Sequence, residues 1–356
     1  MTSNVKTRPA SRNAPIRVAP GPFLRTALAA GTLLALVCGP VLSDAASAAS
    51  AYTLEPVEYG MQLKTPDGRV VLEYMTKKPQ NTGLTTESVA CFHPVNTPSG
   101  ERVTALAPDD HPHHRGIFLG WHDSEFHVPA NFENYGPHRP INGWNVRRAD
   151  FWGWGVYAPR EDRLIQTREV KLRNADAKSA QIEILNDWKI AGRKMLDETN
   201  LATVSERDGV YLLDLEYRLV PEADYILDKA SFGGFDFQAR KDGESYYTNA
   251  AGKVTFPDPH YSIPELNWPS AAWYGYTIRL TSGKTVGAAV IDHPQNPPTT
   301  WHNSSRLWML NPVIVAGGPL KIRAGETLTL RYRVVIHDGE TPTELLQKLS
   351  ADYRGR

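Results

Sequence analysis

The chain has 356 residues, in which 39 Lys and Arg balance 39 Asp and Glu, and it holds only two cysteines. Setting aside the first fifty residues, with their five basic side chains and Asp44, leaves 34 cations against 38 anions, a net charge of −4. That balance excludes a polyanion-binding surface, so no nucleic-acid partner is expected. Cys91 alone remains, which excludes an internal disulfide and a thiolate metal site.

Residues 1–50 read as an export signal. Lys6, Arg8, Arg12, Arg17 and Arg25 precede the apolar run "TALAAGTLLALVCGPVL", and Ala46-Ser47-Ala48 or Ala49-Ser50-Ala51 offers the small residues that a signal peptidase cuts after. The run is short for a membrane span, although a retained N-terminal anchor is the alternative reading. Val37 is too bulky to precede a lipidated Cys38, and no twin-arginine pair is present. The protein is therefore expected to be secreted or periplasmic. No later apolar run approaches twenty residues, so no membrane association is expected after cleavage.

Residues 51–356 are expected to form a single β-sandwich domain. Apolar and polar residues alternate through "QIEILNDWKI" (181–190), "GVYLLDLEYRLV" (209–220) and "TLTLRYRVVIH" (327–337). "RVVLEY", "GIFLGW", "WYGYTIRLT" and "TVGAAVID" add further strands, and "RDGVY" and "TSGKT" read as hairpin turns. One helix is expected, "ELLQKLSADYR", capped by Thr341 or Thr343 with Leu345, Leu346 and Leu349 on one face. The fold class is all-β, a large antiparallel two-sheet sandwich with a short C-terminal helix. Residues 122–150 and 249–273 break the alternation and read as ordered loops, the first lying over a site.

Four clusters can carry chemistry. In "DDHPHHRGIFLGWHD" (109–123), His111, His113, His114 and Arg115 precede a strand and His122 follows it. On an extended chain His111 and His113 point one way and His114 the other, a pattern suited to acid–base work near neutral pH or to metal ligation. "MLDETNLATVSE" (195–206) offers Glu198 as a lone carboxylate facing the site. "VIDHPQNPPTTWHNSSRLWMLNP" (290–312) sets Asp292, His293, His302 and Arg306 beside Trp301, like the lining of a sugar pocket. "FGGFDFQAR" (232–240) suggests a structural role, with Gly233-Gly234 marking a bulge or a close backbone approach. A helical His-Glu-x-x-His motif is absent, and Ile117 and Phe118 stand where a cupin-like site needs a glutamate. No nucleophile elbow, phosphate loop or dinucleotide-binding glycine motif occurs.

"DHPHHRGIF", "GWH", "DETNLATV", "GGFDFQAR", "TNAAGK", "IDHPQNPPTTWH" and "LNPV…AGETLTLRYRVVIHDG" follow one another in an order that resembles the PmoA family, from about residue 55 to 350. That family's methane-oxygenase label refers to integral membrane subunits, and this chain lacks the spans for it. The resemblance implies an exported all-β protein from a sugar-degrading bacterium, with a core similar to the supersandwich of galactose mutarotases and related lyases and hydrolases. Where many members have "HGDVNGVDFW", this chain has "GWHDSEFHVPANFENYG" (120–136).

These readings converge on a carbohydrate-active enzyme that cleaves or isomerises a glycoside or modified sugar. His113 or His114 is the expected acid or base, opposite Glu198 or His302. Arg115 and Arg306 are expected to orient a polar group of the substrate, with His111, His122, Asp292, His293 and Trp301 as further binding residues. Two alternatives stand beside it. One is a divalent metal on His111, His113 and either His122 or His302; the other is a non-catalytic carbohydrate-binding protein using Trp144 or Trp301 as a platform.

Overall fold

The alternating stretches fold into long antiparallel strands in the computed structural model, which describes residues 50–129, 139–141, 144–258 and 263–355. Apart from Ser50, the expected export segment lies outside the described residues. A seven-stranded sheet runs, in spatial order, Thr53–Pro56, Gly60–Lys64, Val70–Met75, Cys91–Val95, Ile117–Gly120, Gly234–Gln238 and Met309–Leu310. A nine-stranded sheet runs Gly252–Val254, Gly243–Asn249, Trp273–Leu280, Thr285–Asp292, Leu328–Asp338, Val210–Pro221, Arg193–Arg207, Ser179–Ile190 and Arg163–Ala175. Every strand pair among the described residues is antiparallel, as the sequence predicts, but a five-stranded and a two-stranded sheet accompany the two large ones.

The period of two decides what lies between the large sheets. Ile182 and Ile184, Ala202 and Val204, and Leu213 and Leu215 face inward from the nine-stranded sheet. They share one apolar cluster with Leu63, Phe92, Ile117, Leu119, Phe235 and Phe237 of the seven-stranded sheet. Burying each of the Val, Leu, Ile and Phe side chains among these contributes roughly 1.5–3 kcal/mol. The Asp208-Gly209 turn has φ of 52° and 76°, the two positive values that a two-residue type I′ hairpin needs.

Segment 122–150 is not the single ordered loop that its composition suggests. Ser124–Pro129 and Trp144–Ala149 pair as strands of the five-stranded sheet, and Phe126, Val128 and Val146 are buried. Residues 130–138 and 142–143, and the side chain of Trp144, lie outside the described residues. Segment 249–273 likewise contains the strand Gly252–Val254 and a short 3-10 turn, Pro264–Leu266; residues 259–262 fall outside the described residues. The expected helix is present as Thr343–Arg354, with Leu346, Leu349 and Tyr353 buried. Neither threonine caps it. Pro342 holds the N-cap position, and the Thr341 hydroxyl instead bonds that of Thr277 at 2.6 Å. Among the described residues no helix is long and apolar enough to cross a membrane.

Candidate functional site

The site stands on the outer face of the seven-stranded sheet, and strand parity puts it there. On Gly234–Gln238, Phe235 and Phe237 enter the sandwich core, so Asp236 and Gln238 must project the other way. Asp236 is paired with Phe118 and Gln238 with Met309, and Phe118 and Met309 belong with Met75, Cys91 and Trp152 to a second apolar cluster. The expected close approach at Gly233-Gly234 is real. Both have positive φ, and the Trp121 ring lies 3.2–3.3 Å from where each Cβ would stand.

The histidine segment is a turn rather than an extended strand. The His114 N–H donates to the His111 carbonyl at 2.9 Å, with Pro112 at the second turn position, where its fixed φ is favourable. The three rings therefore gather instead of alternating. Their centroids lie 5.7 Å (His111–His113), 5.2 Å (His111–His114) and 4.7 Å (His113–His114) apart. Gly116 brings the turn back to the sheet with φ of 47°, and a Cβ there would stand 2.1 Å from the Phe92 carbonyl oxygen. We expect Gly116→Ala to cost about 3 kcal/mol or more, read from the urea midpoint. A loss under about 1 kcal/mol would contradict the close approach.

His111, His113, His114 and His302 line one cleft of about 480 Å³, counting its open mouth. Trp152, Trp154 and Phe232 form its aromatic walls, and Leu307 and Met309 are its apolar lining. His113 stacks on Trp154 at 6.2 Å and 20°, while His114 meets Trp152 edge-on at 5.2 Å. Trp154 sits on the loop "DFWGWG" (150–155), which Asp150 ties down by accepting the N–H groups of Gly153 and Gly155.

Two side-chain amides determine the proton positions on two of the rings. The Gln238 amide nitrogen donates to the carbonyls of Leu307 (2.7 Å) and Ala239 (3.1 Å), so its oxygen must face His114 Nδ1, 2.6 Å away. That contact requires a proton on Nδ1 and leaves the lone pair on Nε2. His302 repeats the arrangement. Asn267 donates to the Ser231 carbonyl at 2.7 Å, and its oxygen faces His302 Nδ1 at 3.1 Å. Burial, with the neighbouring imidazoles adding to it, lowers His113 to about 2; burial lowers His114 to about 3. Both rings are neutral at physiological pH. Asp236 lies 3.8 Å from His114 Nδ1, and burial raises its carboxyl well above the ordinary range.

Several expected partners are elsewhere. Glu198 shares the inward parity of Leu196 and Ala202, so it points between the sheets. There it accepts from Trp188 Nε1 at 2.6 Å and Asn186 at 3.0 Å, in a separate small cavity, and burial raises it to about 7. Arg115 does not reach the cleft. Its guanidinium is fully buried and donates to the carbonyls of His113, Trp152 and Phe151 at 3.1, 2.9 and 3.2 Å, with the Phe118 ring 4.1 Å away. Arg306 is exposed on the surface, 3.5 Å from Asp258. Asp292 accepts from Asn296 and Thr299, and His293 packs on Tyr353, both away from the cleft. Trp301 is no platform: it is fully buried, 5.1 Å from Tyr274 and bridged through its backbone to Trp268. His122 stands behind the wall, with its ring 4.4 Å from Phe232. Among the described residues no three His, Cys, Asp or Glu side chains gather as metal ligands.

The sequence reading missed Trp152, Trp154, Phe232, Leu307 and Met309, and the anchoring amides Gln238 and Asn267. Gln238 was within reach: two apolar aromatics at alternate positions of "GFDFQ" imply that Asp236 and Gln238 share the opposite face.

Solved structures match the chain only at low similarity. A galactose mutarotase related enzyme from Lactobacillus acidophilus matches with 6% identity and a TM-score of 0.35, over 80% of this chain and 97% of its own. The GH36 alpha-galactosidase AgaA from Geobacillus stearothermophilus matches with 8% identity and a TM-score of 0.32, over 82% of this chain and 40% of its own. A polysaccharide lyase matches with 11% identity and a TM-score of 0.33, over 77% of this chain and 34% of its own. No curated protein matches the sequence. The sequence pattern shared across residues 64–351 is that of a family of unknown function, DUF6807, and the chain belongs to it.

Proposed function

We propose that this is an exported carbohydrate-active enzyme that cleaves or isomerises a glycoside or modified sugar in the four-histidine cleft. The observation that carries the reading is the pairing of two amide-anchored imidazoles, His114 and His302, with Trp152 and Trp154 in one cleft. Aromatic walls suit the apolar faces of a sugar ring, and the His114 Nε2 lone pair suits its hydroxyl hydrogens. The order of motifs shared with the PmoA family supports the sugar reading and the export of the chain.

Within this reading the roles divide between orienting the substrate and moving its protons. An imidazole whose conjugate acid titrates near 3 is a weak base at neutral pH, so His113 and His114 orient hydroxyl groups rather than abstract protons. Proton transfer falls to His302, anchored by Asn267, and to His111, which is partly open to solvent and 3.7 Å from Asp110. Glu198 has no part in it.

We expect His302→Ala and His111→Ala each to lower turnover by ~10²–10⁴-fold on the best substrate from a panel of glycosides and 3-keto-glycosides. His114→Ala should chiefly raise KM, and Glu198→Gln should leave turnover unchanged. Full turnover in both the His302 and His111 variants would sink the assignment. A non-catalytic sugar-binding protein is the second reading, favoured by the absence of a carboxylate from the cleft lining among the described residues. It predicts affinity on the same panel with no product.

A further inference from the structure

We infer that the cleft selects uncharged sugars and rejects uronic acids; this rests on the carbohydrate reading above and narrows it to a substrate class. The observation is one of charge. No Lys, Arg, Asp or Glu lines the cleft among the described residues. Its polar groups are imidazoles, and burial keeps His113 and His114 neutral.

The nearby cations are committed elsewhere. Arg115 is fully buried, with its Nη1 and Nη2 groups on three backbone carbonyls. Arg160 donates to the Gly153 carbonyl at 3.2 Å and lies 3.5 Å from Glu161. Lys241 pairs with Asp110 at 2.5 Å, and Arg306 stands at 3.5 Å from Asp258. A carboxylate entering the cleft would lose its hydration against Trp152, Phe232, Leu307 and Met309 and meet no Lys or Arg in the lining in return. Neutral hydroxyls meet the opposite situation: His114 Nε2 is an acceptor whose orientation Gln238 has already fixed, so binding there costs little further ordering. The same balance bears on the reaction. Elimination from a uronate is helped by a cation or strong donor on its carboxylate, and no Lys or Arg is in the cleft lining among the described residues. Hydrolysis or isomerisation of a neutral glycoside has no such need.

The test is calorimetric titration of the purified protein with methyl α-D-glucopyranoside, methyl α-D-glucopyranosiduronic acid and the methyl ester of that acid, with the galacto series in parallel. The neutral glycoside of one series should bind, its uronic acid about 100-fold or more weakly, and the ester should recover most of the loss. An acid that binds as tightly as its neutral partner overturns the inference and leaves the carbohydrate reading standing. An ester as weak as the acid assigns the loss to bulk at C6 and also overturns it. Failure of every neutral and acidic sugar to bind sinks the carbohydrate reading and this inference together.

Discussion

Arg115→Met should destabilise the protein by about 3–5 kcal/mol and dismantle the cleft, although the side chain is not part of the lining and holds it only through backbone carbonyls. The guanidinium is fully buried, and three carbonyls, of His113, Phe151 and Trp152, converge on it. Burial lowers it only to about 10, so it remains a cation at neutral pH. Removing it leaves three buried acceptors without a donor, each costing roughly 1–3 kcal/mol. Methionine fills part of the space against Phe118 but donates nothing. Lysine keeps the charge but not the planar fork, so Arg115→Lys should recover only part of the loss. The measurement is the urea midpoint with and without sugar. An Arg115→Met protein that kept wild-type stability but lost affinity would return Arg115 to the ligand-orienting role its sequence suggests.

Acidification should weaken the fold well before the exposed carboxylates are neutralised. Free histidine titrates near 6.5. Burial holds His113 at about 2, His114 at about 3, and His93, His122 and His337 at about 4. Between those values and 6.5 the unfolded chain binds protons that the folded chain refuses. The stability they lend is complete above pH 6.5 and is lost as the pH falls towards 4, at up to ~1.4 kcal/mol per pH unit for each ring. Glu198 at about 7, Asp150 at about 6 and Asp236 work in the opposite direction. Their folded values are raised, so the stability they contribute is present at low pH and is lost as pH rises through those values. His293 is lowered and Glu73, Asp123 and Asp292 are raised as well, but the five large imidazole shifts outnumber the three large carboxyl shifts, so the net between pH 6 and 5 is a loss of stability. Denaturant titrations at pH 7.5, 6 and 5 measure it, and a midpoint that held steady or rose on acidification would refute the balance.

Fold class was legible because a period of two needs no knowledge of partners. "QIEILNDWKI" and "TLTLRYRVVIH" assign their own inward faces, and Asp208-Gly209 supplies its own hairpin. The small sheets were not, since Ser124–Pro129 and Trp144–Ala149 are short and the sequence around them is polar and rich in Pro and Asn. Of the candidate site, the histidines came through because unusual local density survives folding. The partners did not, because each depends on which way a strand or turn faces. Glu198 was assigned to the site by chemistry alone, when its own strand's alternation puts it inside with Leu196 and Ala202. Arg115 and Trp301 look functional as residue types, yet one anchors a turn and the other fills the core.

The strand Gly234–Gln238 has two faces in use at once, with Phe235 and Phe237 in the core and Asp236 and Gln238 beneath the histidines. A one-residue insertion or deletion there would exchange those faces, sending aromatic rings under the cleft and a carboxyl and an amide into the sandwich interior. This wall can therefore change only by substitution, one position at a time. The loop residues 153–158 and 303–308 lie outside the sheet ladders, so a change in length there exchanges no strand faces, and new ligand preferences have more room to accumulate in them.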